Sequence, residues 1–201
     1  GLSDFGRAAI AEMNRMGMIV DVAHTGLRSS LEAARASTRP IAASHSACLA
    51  LSEHCRNKSD EVVRAIADTG GYIGICCIPA FLGGAGDISA FLDHVDYAVK
   101  KFGADHVAVG TDMVYSTLRA REEREKYLPA RQKTRPRFGS FWPEGDRLSD
   151  PAWQTPTQLA SLAWTNWPRF TVGLVQRGHS DDDIRKILGG NVLRVLKANA
   201  G

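Results

Sequence analysis

Hydrophobic and polar positions along the chain follow two periods, and these predict helices and strands in alternation. Apolar residues recur every three or four positions after Ser3, after Thr25, from about Ser59 and after Asp87 or Ser89, which predicts four amphipathic helices. Short aliphatic runs predict the strands Met18–Ala23, Ile41–Ser44, Tyr72–Ile78 and His106–Gly110. Helices and strands that alternate without a hairpin signal predict an α/β protein with a parallel sheet, either doubly wound or part of a (β/α)8 barrel.

The regular alternation stops at residues 113–156, which contain five prolines and show little periodicity. Within this stretch, residues 119–137 carry eight Lys or Arg residues against three Glu. Loops of this length in a compact domain are uncommon and are often functional. We therefore interpret 113–156 as an irregular insertion whose basic part overhangs the functional face.

The C-terminal part returns to helical patterning. Thr155-Pro156 predicts a helix start, Pro168 is expected to interrupt that helix, and Ser180 is expected to begin the next one with a capping box. Gly189-Gly190 is expected to end that helix, which leaves a short tail over 192–196.

Three polar residues lie within two positions after the ends of three predicted strands: His24, His45 and Asp112. The residue that leaves a parallel strand points into the ligand-binding face of such a fold. A single histidine there is more often a structural residue, but two imidazoles and a carboxylate together are typical of a metal-dependent hydrolase. Asp21 lies three residues before His24, and strand alternation predicts that it faces the opposite side.

Composition narrows the class of protein further. The chain is 44% hydrophobic and 23% charged, with a formal net charge of +3, which is ordinary for a globular protein and too weakly basic to indicate nucleic-acid binding. No apolar run approaches the roughly 20 residues that cross a membrane.

The four cysteines lack metal-binding or disulfide spacing and are interpreted as buried thiols. We expect a cytoplasmic location, with periplasmic or secreted as alternatives. The remaining histidines are interpreted as surface residues: His54, His94, His106 and His179.

Several motifs resemble the renal (membrane) dipeptidase family, peptidase family M19. They occur in the same order and at sensible spacings over nearly the whole chain outside 113–156. The matching segments are Gly1–Arg7, Asn14–Asp21, Ala43–Ser46, Arg56-Asn57 and Ile187–Val195. The resemblance implies a zinc-dependent (β/α)8 metallohydrolase that cleaves dipeptides.

The resemblance also implies a role for individual residues. His24 and His45 match the positions that bind the second of two zinc ions. Asp112 matches the carboxylate that takes a proton from the attacking water and delivers it to the leaving amine. Arg56 matches the arginine that holds the terminal carboxylate of the substrate, a role that suits a planar guanidinium. The chain departs from the family after Asp112, where Met113 and its neighbours replace Phe-Asp-Gly, which changes the expected substrate contacts.

The family carries an earlier His-x-Asp pair on its first strand and a metal-bridging Glu, and the predicted strands contain neither. We therefore expect residues 1–201 to be the C-terminal half of one barrel domain, supplying roughly strands five to eight. One zinc ion would then be held mainly by residues outside this chain, and the partner would be the N-terminal half or a second chain, with a homodimer as an option. Two alternatives remain: a non-catalytic half-barrel, and a related metal-dependent amidohydrolase acting on another amide or a lactone.

Overall fold

The computed structural model describes residues 1–113, 122–123, 126 and 142–200. In these parts a small parallel sheet is packed against helices, which confirms the α/β class. The strands are β1 (Ala42–Ser46), β2 (Tyr72–Ile75) and β3 (Val107–Val109). The helices are α1 (Asp4–Arg15), α2 (Leu27–Ala36), α3 (Asp60–Asp68), α4 (Pro79–Leu82), α5 (Ile88–Phe102), α6 (Pro156–Ser161), α7 (Trp167–Gln176), α8 (Asp181–Arg185) and α9 (Asn191–Ala200).

The sheet has the order β1-β2-β3, with both pairs parallel. Ala42 of β1 pairs with Tyr72, and Ile73 of β2 pairs with Val107. All four residues of β2 are buried, as expected for a parallel strand covered on both faces. Successive parallel strands direct their carboxyl ends to the same edge of the sheet, so the residues that follow them meet there.

The predicted strand Met18–Ala23 is not formed as a ladder; its only bridge joins Asp21 to Ala42. Two backbone hydrogen bonds accompany this bridge: Val22 N donates to Ala42 O (2.8 Å), and Ala42 N donates to Val20 O (3.0 Å). The segment therefore runs along β1 as an irregular edge, with a pairing partner on one side only among the described residues.

Two other predicted strands are shorter than their apolar runs. The run Tyr72–Ile78 ends as a regular strand at Ile75, although Cys76 N still donates to Ser46 O (2.8 Å) and Cys77 N to Thr111 O (2.9 Å) before α4 begins at Pro79. The strand predicted over 106–110 is reduced to β3, because His106 lies in the 3-10 turn Ala104–His106. Hydrophobicity alone does not separate a strand from a buried turn next to it.

Helix starts were predicted more accurately than strand ends. The Ser3 hydroxyl accepts a hydrogen bond from Gly6 N, and the Ser59 hydroxyl accepts one from Val62 N, which is N-capping as the sequence predicts. Asp87 caps α5 through Ser89 N and Ala90 N.

The C-terminal helices correct two predictions and confirm a third. Pro168 does not interrupt a helix; it occupies the first turn of α7, where a missing N–H costs nothing. Ser180 caps α8 through Asp183 N, but the capping box is not closed. Gly189-Gly190 does end the helix as predicted, because Gly189 has the non-helical dihedrals φ 164° and ψ −19°, and α9 begins directly after this kink.

The last helix fastens the C-terminus to the sheet. Val195 of α9 packs with Ala42, Tyr72 and Ala108. Asn191 Nδ2 donates to the backbone oxygens of Ala104 (2.7 Å) and Val107 (2.8 Å), just before and at the start of β3. The apolar residues predicted for the tail therefore do pack against the fold, although as a complete helix.

Most of the predicted insertion, including nearly all of the basic stretch 119–137, lies outside the described residues. Its last part is described and forms the 3-10 turns Arg147–Ser149 and Pro151–Trp153, which contact the rest of the fold. Among the described residues, no helix has the length and apolar character required to span a bilayer.

Candidate metal and substrate site

Three of the four predicted site residues share one cavity of about 760 Å³. His24, Arg56 and Asp112 line it together with an apolar wall that includes Phe81 and Trp142. The cavity lies at the edge of the sheet to which the strands direct their carboxyl ends. Residues from five separate parts of the sequence thus contribute to a single concave surface.

The fourth predicted residue, His45, contacts His24 directly. Their Nε2 atoms are 2.8 Å apart, and their ring centroids are separated by 4.9 Å. Burial by the surrounding protein, followed by the positive charges of Arg56 and His45, lowers the pKa of His24 and favours the neutral ring. Neutral imidazole is the form that binds divalent metals, so these two rings fit a shared cation.

An irregularity in β1 positions His45. The pairing register of β1 with β2 shifts between Ala43 and Ser46, as in a β-bulge. Adjacent residues of a regular strand point to opposite faces, yet Ser44 Oγ and His45 Nδ1 are 2.7 Å apart. The bulge therefore directs both side chains to the same side of the sheet.

Glycines make this distortion possible. A Cβ atom on Gly74 or on Gly110 would lie inside van der Waals contact of the Ser44 carbonyl oxygen, which is a backbone atom and cannot rotate away. The bulge of β1 therefore fits against β2 and the end of β3 only because Gly74 and Gly110 lack side chains.

Asp21 was predicted to face away from the site, and this is wrong. Its Oδ1 accepts hydrogen bonds from Ala23 N and Ser44 N, both at 3.0 Å, and its Oδ2 contacts Ser44 Oγ. Strand alternation does not continue past Asp21, because a turn closed by Thr25 N donating to Val22 O follows the single bridge. Asp21 and His24 consequently both reach the site.

Arg56 is a buried cation with spare hydrogen-bonding capacity. The residue is 9% exposed, its Nε donates to Ala23 O at 3.4 Å, and its guanidinium carbon lies 5.3 Å from the Phe81 ring centroid. Its Nη2 has no hydrogen-bond partner in the part of the chain that the structure describes. An unpartnered, desolvated donor on a cavity wall is unfavourable until an anion binds it, and a planar guanidinium is suited to a carboxylate.

Asp112 has a strained backbone. Its φ of +53° is the only positive φ of a non-glycine residue in the described part of the chain. The preceding residue is held in place, because Thr111 O accepts a hydrogen bond from Cys77 N at 2.9 Å. Strain of this kind is concentrated at functional sites, where a side chain must be presented in one direction.

His54 was interpreted as a surface residue, but it is 7% exposed and joins two distant parts of the chain. Its Nε2 lies 3.2 Å from Asp146 Oδ1, and its Nδ1 accepts from Arg56 N at 3.2 Å. The ring also stacks on Phe81, with centroids 4.4 Å apart. These contacts hold the segment at Asp146 against the loop that carries Arg56.

His54, Cys55 and Asp146 form the one group of three potential metal ligands found among the described residues, with ligand atoms within 4.8 Å of one another. Both ring nitrogens of His54 already make hydrogen bonds, so the observed contacts are accounted for by fastening the segment. Within the same part of the chain, no carboxylate or thiolate completes a three-ligand group with His24 and His45.

His94 is also buried, at 1% exposure, where the sequence predicted a surface position. Its Nδ1 accepts from Cys48 N (3.0 Å), and its Nε2 contacts Leu82 O (2.9 Å). Together with Asp96 it forms a His-x-Asp sequence, but this lies inside α5, and the ring is used to connect backbone segments. His106 and His179 are partly exposed and contact Gly71 O and Asp96.

Three of the four thiols behave as predicted. All four cysteines are free, and Cys48, Cys76 and Cys77 are buried, but Cys55 is exposed and corrects the prediction that all four are buried. Burial raises the pKa of both Cys48 and Cys76 to about 12, which makes them unreactive packing residues at neutral pH.

Two imidazoles that converge, a buried arginine without an anionic partner among the described residues and a carboxylate on a strained backbone together define a hydrolase-type site on an α/β scaffold. Comparison with known proteins agrees with this class. The family model for membrane dipeptidases (peptidase family M19) matches residues 1–123, a range that includes all four predicted site residues. The chain belongs to this family.

Curated relatives carry dipeptidase names. The chain is 30% identical over 200 residues to "Dipeptidase aclJ" of Aspergillus oryzae and 29% identical over 202 residues to "Dipeptidase tcpJ" of Claviceps purpurea. Each match covers 98% of this chain but only 38% of the relative. The chain thus spans about two fifths of the length of these relatives.

Solved structures share the fold. An amidohydrolase from Pseudomonas aeruginosa superposes with a TM-score of 0.74 at 28% identity, covering 100% of this chain and 58% of that one. A metallopeptidase from Rhodobacter sphaeroides, solved with a phosphinate mimic of the dipeptide L-Ala-D-Ala, gives a TM-score of 0.72 at 22% identity, covering 99% of this chain and 47% of that one. The latter similarity concerns the fold alone.

Proposed function

We propose that this chain carries part of the active site of a zinc-dependent dipeptidase. The observation that carries the proposal is the buried Arg56 guanidinium, whose Nη2 has no partner among the described residues, in the same cavity as His24 and Asp112. A dipeptide has a free carboxylate one residue from its scissile bond. A cation placed close to a hydrolytic site therefore selects short peptides with a free C-terminus over longer chains.

Each residue has a distinct part in the proposed reaction. Arg56 binds the terminal carboxylate of the dipeptide and thereby positions the scissile carbonyl near the two imidazoles. The Asp112 carboxylate accepts a proton from the attacking water and returns it to the nitrogen of the leaving amine. Phe81, in the apolar wall of the cavity, packs against the buried Arg56 guanidinium, and the limited access of solvent there strengthens its interaction with a carboxylate.

His24 and His45 would hold one zinc ion through their Nε2 atoms, which converge in the structure. A zinc ion bound there would supply Lewis-acid activation of the carbonyl and of water. Two imidazoles do not complete a zinc coordination sphere. We propose that the remaining ligands, and those of a second ion, come from outside this chain.

We further propose that residues 1–201 supply strands five to eight of a (β/α)8 barrel, as the C-terminal half of a single domain. The parallel order β1-β2-β3 and the edge position of the Asp21 segment support this arrangement. A second candidate is a half-barrel without activity of its own. The metal site, which has only two ligands among the described residues, favours this alternative.

One experiment tests the function through bound metal and dipeptide hydrolysis measured on the same purified samples. For the unchanged protein, purified together with the part that supplies the remaining ligands, we expect bound zinc and turnover. His45→Ala should lose both, because it removes one of the two converging imidazoles. Arg56→Lys should keep its metal but show a KM raised by roughly 10–100-fold for dipeptides, the effect of losing a bidentate charged contact. Dipeptide amides, which lack the terminal carboxylate, should be poor substrates of the unchanged protein and of Arg56→Lys.

His179→Ala is a matched control, because this ring contacts Asp96 and does not line the cavity. It should retain metal and activity. Full zinc content together with full turnover in His45→Ala would contradict the proposed function. If native mass spectrometry showed the chain without a partner or metal, and the assay showed no turnover, the protein would be the inactive half-barrel.

A further inference from the structure

We propose that Asp21 and Ser44 are positioning residues that hold the His45 ring in the tautomer whose Nε2 lone pair faces the cavity. This inference rests on the proposed function, in which His45 Nε2 is a metal-binding atom. It assigns a role to a hydroxyl that contacts the Nδ1 side of the His45 ring and to a carboxylate that contacts this hydroxyl, neither of which joins the Nε2 atom as a metal ligand.

The contacts form a continuous chain. Asp21 Oδ1 is held by Ala23 N and Ser44 N at 3.0 Å, which fixes the carboxylate against the bulge of β1. Its Oδ2 contacts Ser44 Oγ, and Ser44 Oγ in turn lies 2.7 Å from His45 Nδ1. His45 Nε2, on the other side of the ring, lies 2.8 Å from His24 Nε2.

The direction of these hydrogen bonds follows from counting protons. An ionised carboxylate only accepts, so the single hydroxyl proton of Ser44 is donated to Asp21. Ser44 Oγ must then accept from His45 Nδ1, which places the one proton of the neutral ring on Nδ1. Nε2 is left with a free lone pair, which is the state that a metal ligand requires.

The same order of groups argues against Ser44 as a nucleophile. In a serine hydrolase the imidazole lies between the serine and the carboxylate and takes the hydroxyl proton. Here the serine lies between the other two, so its proton is directed to Asp21 and its oxygen accepts from His45. The arrangement orients a ligand and does not activate a hydroxyl. Partners of this kind commonly change metal affinity by roughly 10–100-fold.

A purely structural role for Asp21 is the competing explanation, since its Oδ1 also ties the edge segment to β1. Two variants separate the roles. Ser44→Ala removes the hydroxyl but retains the backbone N–H that binds Asp21. Asp21→Asn retains Oδ1 as an acceptor but replaces Oδ2 with an N–H donor, which turns the Ser44 hydroxyl towards His45 and moves the ring proton to Nε2.

The test combines zinc affinity, measured by competition with a chelator, with the tautomer of His45. The tautomer is read from the ring-nitrogen chemical shifts of the metal-free, histidine-labelled protein and assigned with His45→Ala. We expect the unchanged protein to show a proton on Nδ1. Asp21→Asn should show it on Nε2, and Ser44→Ala should show a mixture. Both variants should bind zinc roughly 10–100-fold more weakly at an unchanged thermal midpoint.

Ser44→Thr, which keeps the hydroxyl, should restore both readouts. Ser46→Ala is the matched control, because this buried hydroxyl on the other side of His45 has no partner among the described residues. An unchanged His45 tautomer in Asp21→Asn and Ser44→Ala would overturn the positioning role. Failure of the unchanged protein to bind zinc would contradict the proposed function instead, and the tautomer measurement would still decide the role of Asp21 and Ser44.

Discussion

Lys58 is a buried lysine whose charged form is unfavourable in its environment and therefore destabilises the folded state. It is 3% exposed, and its Nζ donates to Thr25 O at 2.7 Å without a carboxylate partner among the described residues. Burial, followed by the positive charge of Arg56, lowers its pKa from 10.5 to about 8. The folded protein therefore binds fewer protons here than the unfolded chain between about pH 8 and 10.5.

We predict that Lys58→Met removes a pH-dependent destabilisation. The sign follows from linkage: a lysine with a lowered folded-state pKa destabilises the fold fully below pH 8, and this penalty disappears as the pH rises to 10.5. The unfolding free energy of the unchanged protein should thus rise relative to the variant across this window, by at most about 1.4 kcal/mol per pH unit. Thr25 O stays satisfied, because Ser30 Oγ also donates to it at 3.0 Å.

The measurement is denaturant unfolding of both proteins from pH 7 to 11. The difference between them isolates Lys58, because Cys48 and Cys76, with pKa values raised to about 12, contribute the same opposing slope to each. Lys100→Met, at an exposed position, should give no pH-dependent difference. Parallel curves for Lys58→Met and the unchanged protein would show that Lys58 is not desolvated.

Among the structural elements, the sheet shows how closely the site depends on backbone geometry. The bulge of β1 brings the Ser44 carbonyl oxygen against Gly110, which follows β3. We predict that Gly110→Ala forces β1 and β3 apart and costs roughly 1–3 kcal/mol of unfolding free energy or more, as overpacking does. It should also weaken zinc binding, because the same bulge places His45.

Gly26→Ala is the control for this variant. No atom lies within 4 Å of a Cβ at Gly26, and its φ of −63° suits any residue. Its stability and zinc affinity should stay close to those of the unchanged protein. If Gly110→Ala behaved in the same way, the contact with the Ser44 carbonyl would not constrain the sheet.

At the scale of the whole molecule, the contact between His54 and Asp146 joins segments that are 92 residues apart in sequence. Arg147 adds hydrogen bonds to Ser52 Oγ at 3.2 Å and Glu53 O at 2.5 Å. Burial opposes ionisation of Asp146, but the Leu148 N–H and His54 outweigh it and lower the pKa of this carboxyl below 3.8. The contact therefore stabilises the fold above pH 3.8 and is lost as the pH falls through the lowered value.

We predict that Asp146→Ala releases this segment from the cavity rim. Limited trypsin digestion should cut after Arg147 roughly 5–100-fold faster, corresponding to the loss of about 1–3 kcal/mol from a charged hydrogen bond. Asp150→Ala is a matched control, since Asp150 caps the next turn through Ala152 N at 2.9 Å without reaching the Arg56 loop. Equal cleavage rates in the two variants would mean that Asp146 does not hold the segment.

The sequence by itself determined the class of fold, most helix starts and three residues of the cavity. Caps such as Ser3 and Ser59 act within one turn of helix, so local sequence is sufficient to predict them. His24, Arg56 and Asp112 were predicted because the carboxyl ends of parallel strands meet at one edge or because they match family motifs. The prediction for His45 was of the same kind, and the structure places its ring against His24.

Only the tertiary structure decided what surrounds these residues. The bulge at Ser44 depends on Gly74 in β2 and on Gly110 just after β3, and no pattern within β1 reveals it. Asp21 joined the site because its segment forms one bridge and then turns, which breaks the alternation from which its orientation was predicted. His54 and His94 are buried because their partners, Asp146 and Leu82 among them, come from other elements. Local patterns encode the period of an element, whereas the partner of a buried polar group is set by the packing of elements distant in sequence.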